Sequence, residues 1–346
     1  MPSSIEVLPQ GSEPDWDEFV LNHRDATYCH LAAWRTVVEE AYGLRSHFLL
    51  LRNDLGLRGI LPLVHVRGPI APNRMVSMPF LDQGGTLSES NEASRLLIEA
   101  AAQQAKRLGA KGLDLRAPLS GTPDSTEIPT RFRFLLSLPA SDDELWKKVG
   151  PKVRNQIRKS ERGGLTSDGA NNSSLPEFYK VFSRNMRDLG SPTHSLGFFE
   201  AIARQLGDRF RLYLTYDADK QPVAGGVAIY FKDSVTVPWA SSLRSIRSDC
   251  PNHSLYWRIL CDARLNGART FDFGRSSVGT GTYQFKKQWG TEVHPLIWTF
   301  LDNNRNLEGD YYLNSQRNST VVRIWKKLPL AATVWLGPWI RYQLPN

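Results

Sequence analysis

Apolar and polar positions follow the same pattern in two blocks of the chain. Residues 47–66 and 210–231 each contain two apolar runs separated by a short polar turn, which predicts a strand, a turn and a second strand. Two helices are predicted before each hairpin, and a strand, a helix and a further strand after it. The chain therefore contains two blocks with the same order of elements.

These elements predict an α+β fold in which mixed sheets are covered by helices, because hairpins occur together with helix-linked strands. Around the first hairpin, helices are predicted at 15–22, 32–41 and 93–108, and strands at 75–78 and 112–115. Around the second hairpin, helices are predicted at 175–189, 197–206 and 254–266, and strands at 234–240 and 270–273.

A short motif in each block indicates a duplication. In both copies a basic helix end is followed by Gly-Ala, a basic residue and a strand with a central aspartate. The glycine and the aspartate have the same spacing in Gly109–Asp114 and in Gly267–Asp272. Since the hairpins recur in the same order, two similar domains are expected.

The chain length agrees with two domains, because 346 residues correspond to two units of ordinary size. The expected division is a first domain at 1–150, a second at 151–310 and a basic, tryptophan-rich tail at 311–346. No apolar run is long enough for a membrane span, and the N-terminus has no signal-peptide pattern. A cytoplasmic protein is expected.

The three cysteines, Cys29, Cys250 and Cys261, show no spacing typical of a disulfide framework or a zinc site. Metalloprotease, Walker, Rossmann and serine-hydrolase motifs are absent, so no metal and no resident cofactor are expected. The net charge of +8 favours an anionic partner.

A basic helix is predicted at the start of the second domain, where residues 151–162 read PKVRNQIRKSER. Arg154, Arg158 and Arg162 recur every four residues and therefore share one face. Guanidinium groups suit phosphate oxygens, so this face is either a phosphate-binding surface or a solvated helix between domains.

Several of these segments resemble the Fem-type aminoacyltransferases. The carrying motifs are VRNQIRKSER at 153–162 and GTGTYQFKKQWG at 279–290. RDLGSPTHS at 187–195 and FDFGRSS at 271–277 resemble the Fem-related proteins that accompany exosortase and exopolysaccharide systems. The resemblance implies two tandem acetyltransferase-like (GNAT) domains that transfer an aminoacyl group from aminoacyl-tRNA to an amine of a peptidoglycan precursor.

The acyl donor stays open between aminoacyl-tRNA and acyl-CoA. The sequence lacks the long helical, coiled-coil hairpin that some Fem members insert in the second domain, an element associated with tRNA contact. Residues 247–254, where CoA-dependent acetyltransferases have a glycine-rich pyrophosphate loop, contain no glycine. Gly84 and Gly85 in the first domain have no basic neighbour, so CoA binding is disfavoured as well.

The resemblance implies that Lys286 is catalytic, as the lysine of the family's Phe-Lys pair, and that it stabilises a developing oxyanion. Phe285 would form a wall of the pocket, and Lys287 is the second choice for the lysine. Tyr283 and Trp289 are candidates for the acceptor groove, with core packing as the alternative.

Arg187 is similar in position to the family arginine that contacts the substrate diphosphate, and Arg184 is its competitor. The alternative for either is a cation at a helix end. His194 is a third candidate, because histidine titrates near neutral pH.

Asp114 loosely matches a family aspartate that has been proposed as a base, and Asp272 is its equivalent in the repeat. Aspartates at strand ends also cap turns, and this structural role is the alternative for both.

The C-terminal residues 321–346 contain no acidic residue and combine tryptophans with lysine and arginine. This composition is typical of a segment at a membrane interface, although packing against domain one is the alternative. The expected activity is amide-forming transfer of an aminoacyl or acyl group to a lipid- or nucleotide-linked envelope precursor. The alternatives are a thioester-dependent N-acyltransferase of exopolysaccharide assembly and a non-catalytic GNAT pair.

Overall fold

The computed structural model describes residues 4–71, 73–118, 131–302 and 319–344, together with the backbone of 306–307. The chain divides into two compact units. The first contains residues 1–129, 297–318 and 339–346, and the second contains residues 130–296 and 319–338. The expected start of the tail at 311 lies outside the described residues.

The elements before residue 118 all belong to the first unit. They are, in order, β1 (Ser4–Val7), α1 (Glu13–Asn22), α2 (Ala33–Tyr42), β2 (Arg45–Ser46), β3 (Leu49–Asn53), β4 (Gly56–Leu61), β5 (Val64–Val66), β6 (Arg74–Val76), β7 (Leu87–Ser88), α3 (Asn91–Arg107) and β8 (Gly112–Leu115).

The next elements form most of the second unit. They are β9 (Arg131–Ser137), α4 (Asp142–Lys148), α5 (Pro151–Arg162), β10 (Thr166–Ala170), α6 (Leu175–Leu189), α7 (Leu196–Leu206), β11 (Phe210–Tyr216), β12 (Pro222–Phe231), β13 (Ser234–Ser242), α8 (Pro251–Leu265), β14 (Thr270–Ser277), α9 (Gly281–Lys287) and β15 (Glu292–Pro295). After them come β16 (Thr299–Asp302), β17 (Asn306–Leu307), α10 (Ser319–Lys327) and α11 (Leu330–Arg341).

The predicted elements of both blocks are confirmed, with shifts of a few residues at their ends. The elements that were not predicted include β9, α4, β10 and α9. The division of the units falls at 129/130 instead of the expected 150, because β9 pairs with β14 and β15 in the sheet of the second unit.

The second unit is built on one seven-stranded sheet of order β10-β11-β12-β13-β14-β9-β15. Its strands are antiparallel except for the parallel pair β13–β14. Helix α8 places Leu255, Ile259 and Ala263 on the sheet, where they join a fully buried core. Helix α6 ends at Gly190, whose φ of 81° is the left-handed conformation that terminates many helices.

The first unit divides the corresponding strands between two sheets, β1-β3-β4-β7 and β17-β16-β8-β6-β5-β2. The break falls at Pro62, between β4 and β5, because proline has no N–H group to donate to the ladder. At the corresponding place in the second unit, β12 continues as one strand, and only its register with β13 shifts between Val227 and Ile229. Among the residues described, no helix is both long and apolar enough to span a bilayer.

The repeated aspartates each form a buried ion pair. Asp114 on β8 pairs with Arg74 on β6, and both side chains are at most 4% exposed. Asp272 on β14 accepts two hydrogen bonds from Arg133 on β9, of 2.8 and 3.0 Å. Removing one partner of such a pair leaves a buried charge uncompensated.

We therefore expect Asp114→Ala to lower the free energy of unfolding by about 3–5 kcal/mol, as measured by urea denaturation. Glu99→Ala is the matched control, because it removes an exposed carboxylate from a pair with Arg95 on α3. This control should leave stability nearly unchanged. Equal, small effects of both variants would contradict the structural role of Asp114.

Candidate active site

The sheet of the second unit opens where β13 and β14 separate. The two strands pair in parallel at only three positions, from Ser234↔Thr270 to Thr236↔Asp272. Beyond this point β13 continues to Ser242 beside β12, whereas β14 shifts its register and follows β9. Beyond these positions the described residues of β13 and β14 form no further ladder pairs with each other.

The equivalent position in the first unit is closed. β6 ends at Val76, and the next residue, Ser77, donates its amide to the carbonyl of Asp114. The Ser77 hydroxyl accepts a hydrogen bond of 2.7 Å from the amide of Arg116. The open fork therefore belongs to the second unit.

Gly274 lies at the point of separation. Its φ of 74° is in the left-handed region, and its amide donates to the Asp272 carboxylate at 2.8 Å. A Cβ at this position would stand 2.9 Å from the carbonyl oxygen of Val237 on β13. Only glycine fits both the conformation and the space.

Lys286 points to the same place from α9. Thr280 caps this helix by accepting the amide of Tyr283 at 3.2 Å. The Lys286 side chain is 8% exposed, and its Nζ donates to the Arg275 carbonyl at 2.8 Å. The ammonium also lies 5.9 Å from the centre of the Phe134 ring. A buried cation thus lies beside the fork, held by a carbonyl and an aromatic face.

An aromatic cluster fixes α9 on the sheet. Phe285 contacts His253 and Tyr256 with ring centroids 5.0 and 5.3 Å apart. Trp289 is fully buried, 5.6 Å from Phe273, and its indole nitrogen has no hydrogen-bond partner. Phe285 and Trp289 therefore position Lys286, and Trp289 is a core residue and does not line a groove.

Tyr283 packs edge-on against Phe134 at 5.0 Å and Phe132 at 6.0 Å, both on β9. The Tyr283 side chain is partly buried, so one part of the ring packs on β9 and another part remains exposed.

Helix α6 lies on the β13 side of the fork. Asn185 donates a hydrogen bond of 3.0 Å to the buried hydroxyl of Ser241 on β13. In the adjacent helical turn, Arg184 is exposed, whereas Arg187 forms an ion pair with its neighbour Asp188 at 2.8 Å. Of the two candidate arginines, Arg184 is thus the one that faces solvent.

His194 is buried in an aromatic group. Its ring stacks on Phe198 at 4.2 Å and meets Trp239 of β13 edge-on at 6.2 Å. At 1% exposure it packs in the protein interior below β13.

The arginines on the basic face of α5 have different surroundings. Arg154 donates to three carbonyl oxygens at the end of α4, those of Trp146, Lys147 and Val149, at 2.7 to 3.3 Å. It therefore caps α4 and is not directed to a phosphate. Arg158 is exposed and lies 5.3 Å from the Trp146 ring.

Asp114 lies in the first unit and Lys286 in the second. Because the Asp114 carboxylate is paired with Arg74, it does not offer the unpaired carboxylate that a base requires. The three thiols are equally unsuited to form an acyl intermediate. Burial raises the pKa of Cys29 and Cys261 to about 12, and burial also raises the pKa of Cys250.

The segment before α8 has its own geometry. Arg244–Asp249 form a 3₁₀ turn, and Cys250 follows with a left-handed φ of 61° as the residue before the helix. No side chain caps α8. Within the described part of the chain, no group of three or more His, Cys, Asp or Glu residues is arranged to hold a metal ion.

Sequence reasoning did not identify Gly274, Asn185 or His253. Thr280 before Gly-Thr-Tyr is an N-cap signal that could have identified α9 as a helix. Gly274 within an otherwise regular strand is a signal for a bulge. The contact between Asn185 and Ser241 has no local signal, because 56 residues separate the two.

Comparisons with known proteins bear on the family and the fold. A family model described as acetyltransferase (GNAT) domain matches residues 148–287. The lipid II:glycine glycyltransferase of Staphylococcus aureus (strain bovine RF122 / ET3-1) is 19% identical over 413 aligned positions, which cover 91% of this chain and 95% of the relative. The alignment is longer than the 346 residues of this chain, so the relative contains segments without a counterpart here.

Two solved structures show the fold. FemX has a TM-score of 0.67 at 16% identity and covers 88% of this chain and 98% of its own. A tandem GNAT protein from the clavulanic acid biosynthesis pathway has a TM-score of 0.55 at 13% identity, with 87% and 98% covered. The expected tandem GNAT fold is thereby confirmed, and the chain is a distant homologue of the Fem glycyltransferases.

His253 generates a prediction about pH. Burial, with a smaller contribution from Lys152, lowers the pKa of His253 to about 4, so the ring is neutral in the folded protein. The unfolded chain binds the proton first as the pH falls below about 6.5, so this contribution to stability is present above that pH and is lost between about 6.5 and 4.

We expect His253→Phe to reduce the loss of unfolding free energy between pH 7.5 and 5.0 by roughly 1–2 kcal/mol. Phenylalanine keeps the ring contacts and cannot bind a proton. Urea denaturation at both pH values provides the measurement. An identical pH dependence in wild type and His253→Phe would contradict the buried neutral ring.

Proposed function

We propose that the protein transfers an aminoacyl group to an amine of an anionic cell-envelope precursor and thereby forms an amide. The observation that carries this proposal is the buried Lys286 ammonium beside an open strand fork, in a chain homologous to lipid II:glycine glycyltransferases. The precursor would be linked to a lipid or to a nucleotide.

The amine nitrogen of the acceptor attacks the acyl carbonyl carbon, and the carbonyl oxygen becomes an oxyanion. An ammonium group has three N–H donors, so the bond of Lys286 to the Arg275 carbonyl is compatible with a second bond to this oxyanion. The carbon–oxygen bond of the aminoacyl ester then breaks. The proton of the attacking amine goes to the departing ester oxygen, because an alkoxide is a stronger base than a carboxylate. The step therefore requires no protein carboxylate as a base.

Preorganisation favours this role for Lys286. Its position is fixed by the aromatic packing of Phe285 and by the bond of Nζ to the Arg275 carbonyl. A donor that is already in place before the reaction requires little reorganisation when charge develops.

Exposed arginines near the fork are suited to the phosphate groups of such a precursor. Arg184 on α6 faces solvent one residue before Asn185, which contacts β13. Arg187 would have to exchange its Asp188 partner for phosphate, so Arg184 is favoured as the anchor.

The donor is proposed to be aminoacyl-tRNA. A second candidate function is N-acyl transfer from a thioester to an amino sugar. It is favoured by one observation, because α8 begins without a side-chain cap, next to exposed Arg244 and Arg247. A helix N-terminus with nearby cations suits the pyrophosphate of an acyl-CoA.

The donor assay separates these functions. Purified protein is given either labelled aminoacyl-tRNA or labelled acyl-CoA, with a water-soluble nucleotide-linked peptide precursor as acceptor. We expect an amide product with the tRNA donor. Product with the thioester alone would replace the first function by the second, and no product with either donor would identify a non-catalytic GNAT pair.

Lys286→Met tests the oxyanion role, because methionine keeps the buried stem and removes the ammonium. We expect kcat to fall by about 10²–10³-fold, which is typical for loss of one oxyanion donor. Lys287→Met is the matched control on the exposed side of the same helix, and its kcat should remain near wild type.

The thermal midpoint of Lys286→Met must be recorded alongside, because the residue is buried. A folded Lys286→Met protein with undiminished kcat would remove Lys286 from the chemistry while leaving the donor assay unaffected.

A further inference from the structure

The described part of the C-terminal tail exposes an unusual amount of apolar surface. Helices α10 and α11 carry Val321, Ile324 and Trp335, whose side chains are 59%, 57% and 78% exposed. Trp339 follows Trp335 by one helical turn and is 48% exposed. Large apolar side chains at this exposure normally indicate a binding surface when they cluster.

The opposite sides of α10 and of α11 as far as Gly337 pack within the second unit, and residues 339–346 belong to the first unit. On α10, Trp325 is 8% exposed, and Val322 packs so closely on Gly190 that a Cβ there would stand 2.5 Å from it. On α11, Gly337 packs in the same way on Thr193. Trp335 lies two residues before Gly337 and therefore points to the opposite side of the helix.

The charge of the segment has one sign. Residues 319–344 contain no aspartate or glutamate and four cations, namely Arg323, Lys326, Lys327 and Arg341. Arg323 and Lys327 are exposed and lie on α10 beside the exposed Ile324. Exposed aliphatic and tryptophan side chains with flanking cations fit the headgroup region of an anionic bilayer.

We propose that α10 and α11 bind the surface of an anionic lipid bilayer, with Ile324, Trp335 and neighbouring apolar side chains inserted among the headgroups. Arg323 and Lys327 then contact lipid phosphates. Pro329 separates the helices, so the segment lies along the interface and does not cross it. This contact is independent of the transfer reaction, and it would bring the enzyme to precursors that are held in the membrane.

Vesicle co-sedimentation of the full chain tests the proposal. We expect binding to vesicles that contain phosphatidylglycerol and little binding to pure phosphatidylcholine, with weaker binding at raised ionic strength. The double variant Arg323→Gln/Lys327→Gln should weaken the affinity for anionic vesicles by about 25-fold, or about fivefold for each cation. Trp335→Ala should weaken it by at least about fivefold.

Two matched controls lie elsewhere on the second unit. Lys180→Gln/Lys220→Gln removes the same charge from exposed positions, and Leu265→Ala removes an apolar side chain that is 67% exposed. Both controls should bind anionic vesicles like the wild type, because neither changes the tail.

The proposal is overturned if anionic vesicles do not bind the wild type, or if the tail variants bind as well as their controls. It is also overturned if vesicles do not bind and Trp335→Ala converts a dimer into a monomer in light scattering, because the surface then joins two copies. Transfer to the water-soluble acceptor should be unchanged in every tail variant, so failure of membrane binding is distinguishable from failure of the proposed activity.

Discussion

The short parallel pairing of β13 and β14 is the constraint on which the candidate site depends. Three paired positions hold the strands together, and the close approach of Gly274 to the Val237 carbonyl ends the pairing. Beyond that glycine, each strand remains bound to its other neighbour, so the fork stays open without loss of the sheet. The opening is thus produced by a local backbone conformation, within a sheet that is otherwise continuous.

The position of Lys286 follows from this opening. Burying an ammonium group is unfavourable unless hydrogen bonds or an aromatic face replace the lost water. The shift of β14 toward β9 presents the Arg275 carbonyl to Nζ, and Phe134 on β9 presents its ring. The bulge that opens the sheet therefore also provides the contacts that hold the cation beside the opening.

The two units share the hairpin, the helix that follows it and the strand with the aspartate, and they differ at this fork and in the continuity of the sheet. Each has a buried aspartate on the corresponding strand, paired with an arginine from an adjacent strand. In the first unit Ser77 closes the gap between the strands, and Pro62 divides the sheet. In the second unit the strands continue past the separation. A duplicated framework has thus kept its internal ion pairs, while the opening is present in one copy.

Much of the architecture was determined by the sequence itself. The alternation of apolar positions and the Gly-Ala motifs predicted both hairpins, the helices and the duplication, because these are local patterns with fixed periods. The Phe-Lys pair made Lys286 a candidate through a family resemblance. Local pattern did not distinguish Arg154, a helix cap, from Arg158, an exposed cation, because both follow the same four-residue spacing.

Tertiary structure decided the remaining features. Asp114 loosely matches a family aspartate that has been proposed as a base, and Asp272 is its equivalent in the repeat. Only their arginine partners on neighbouring strands show them as parts of buried ion pairs. The contact of Asn185 with Ser241 and the depressed pKa of His253 likewise depend on residues far apart in the chain. Sequence determines periodic patterns between near neighbours, whereas burial and charge pairing are set by distant segments that meet only in the folded protein.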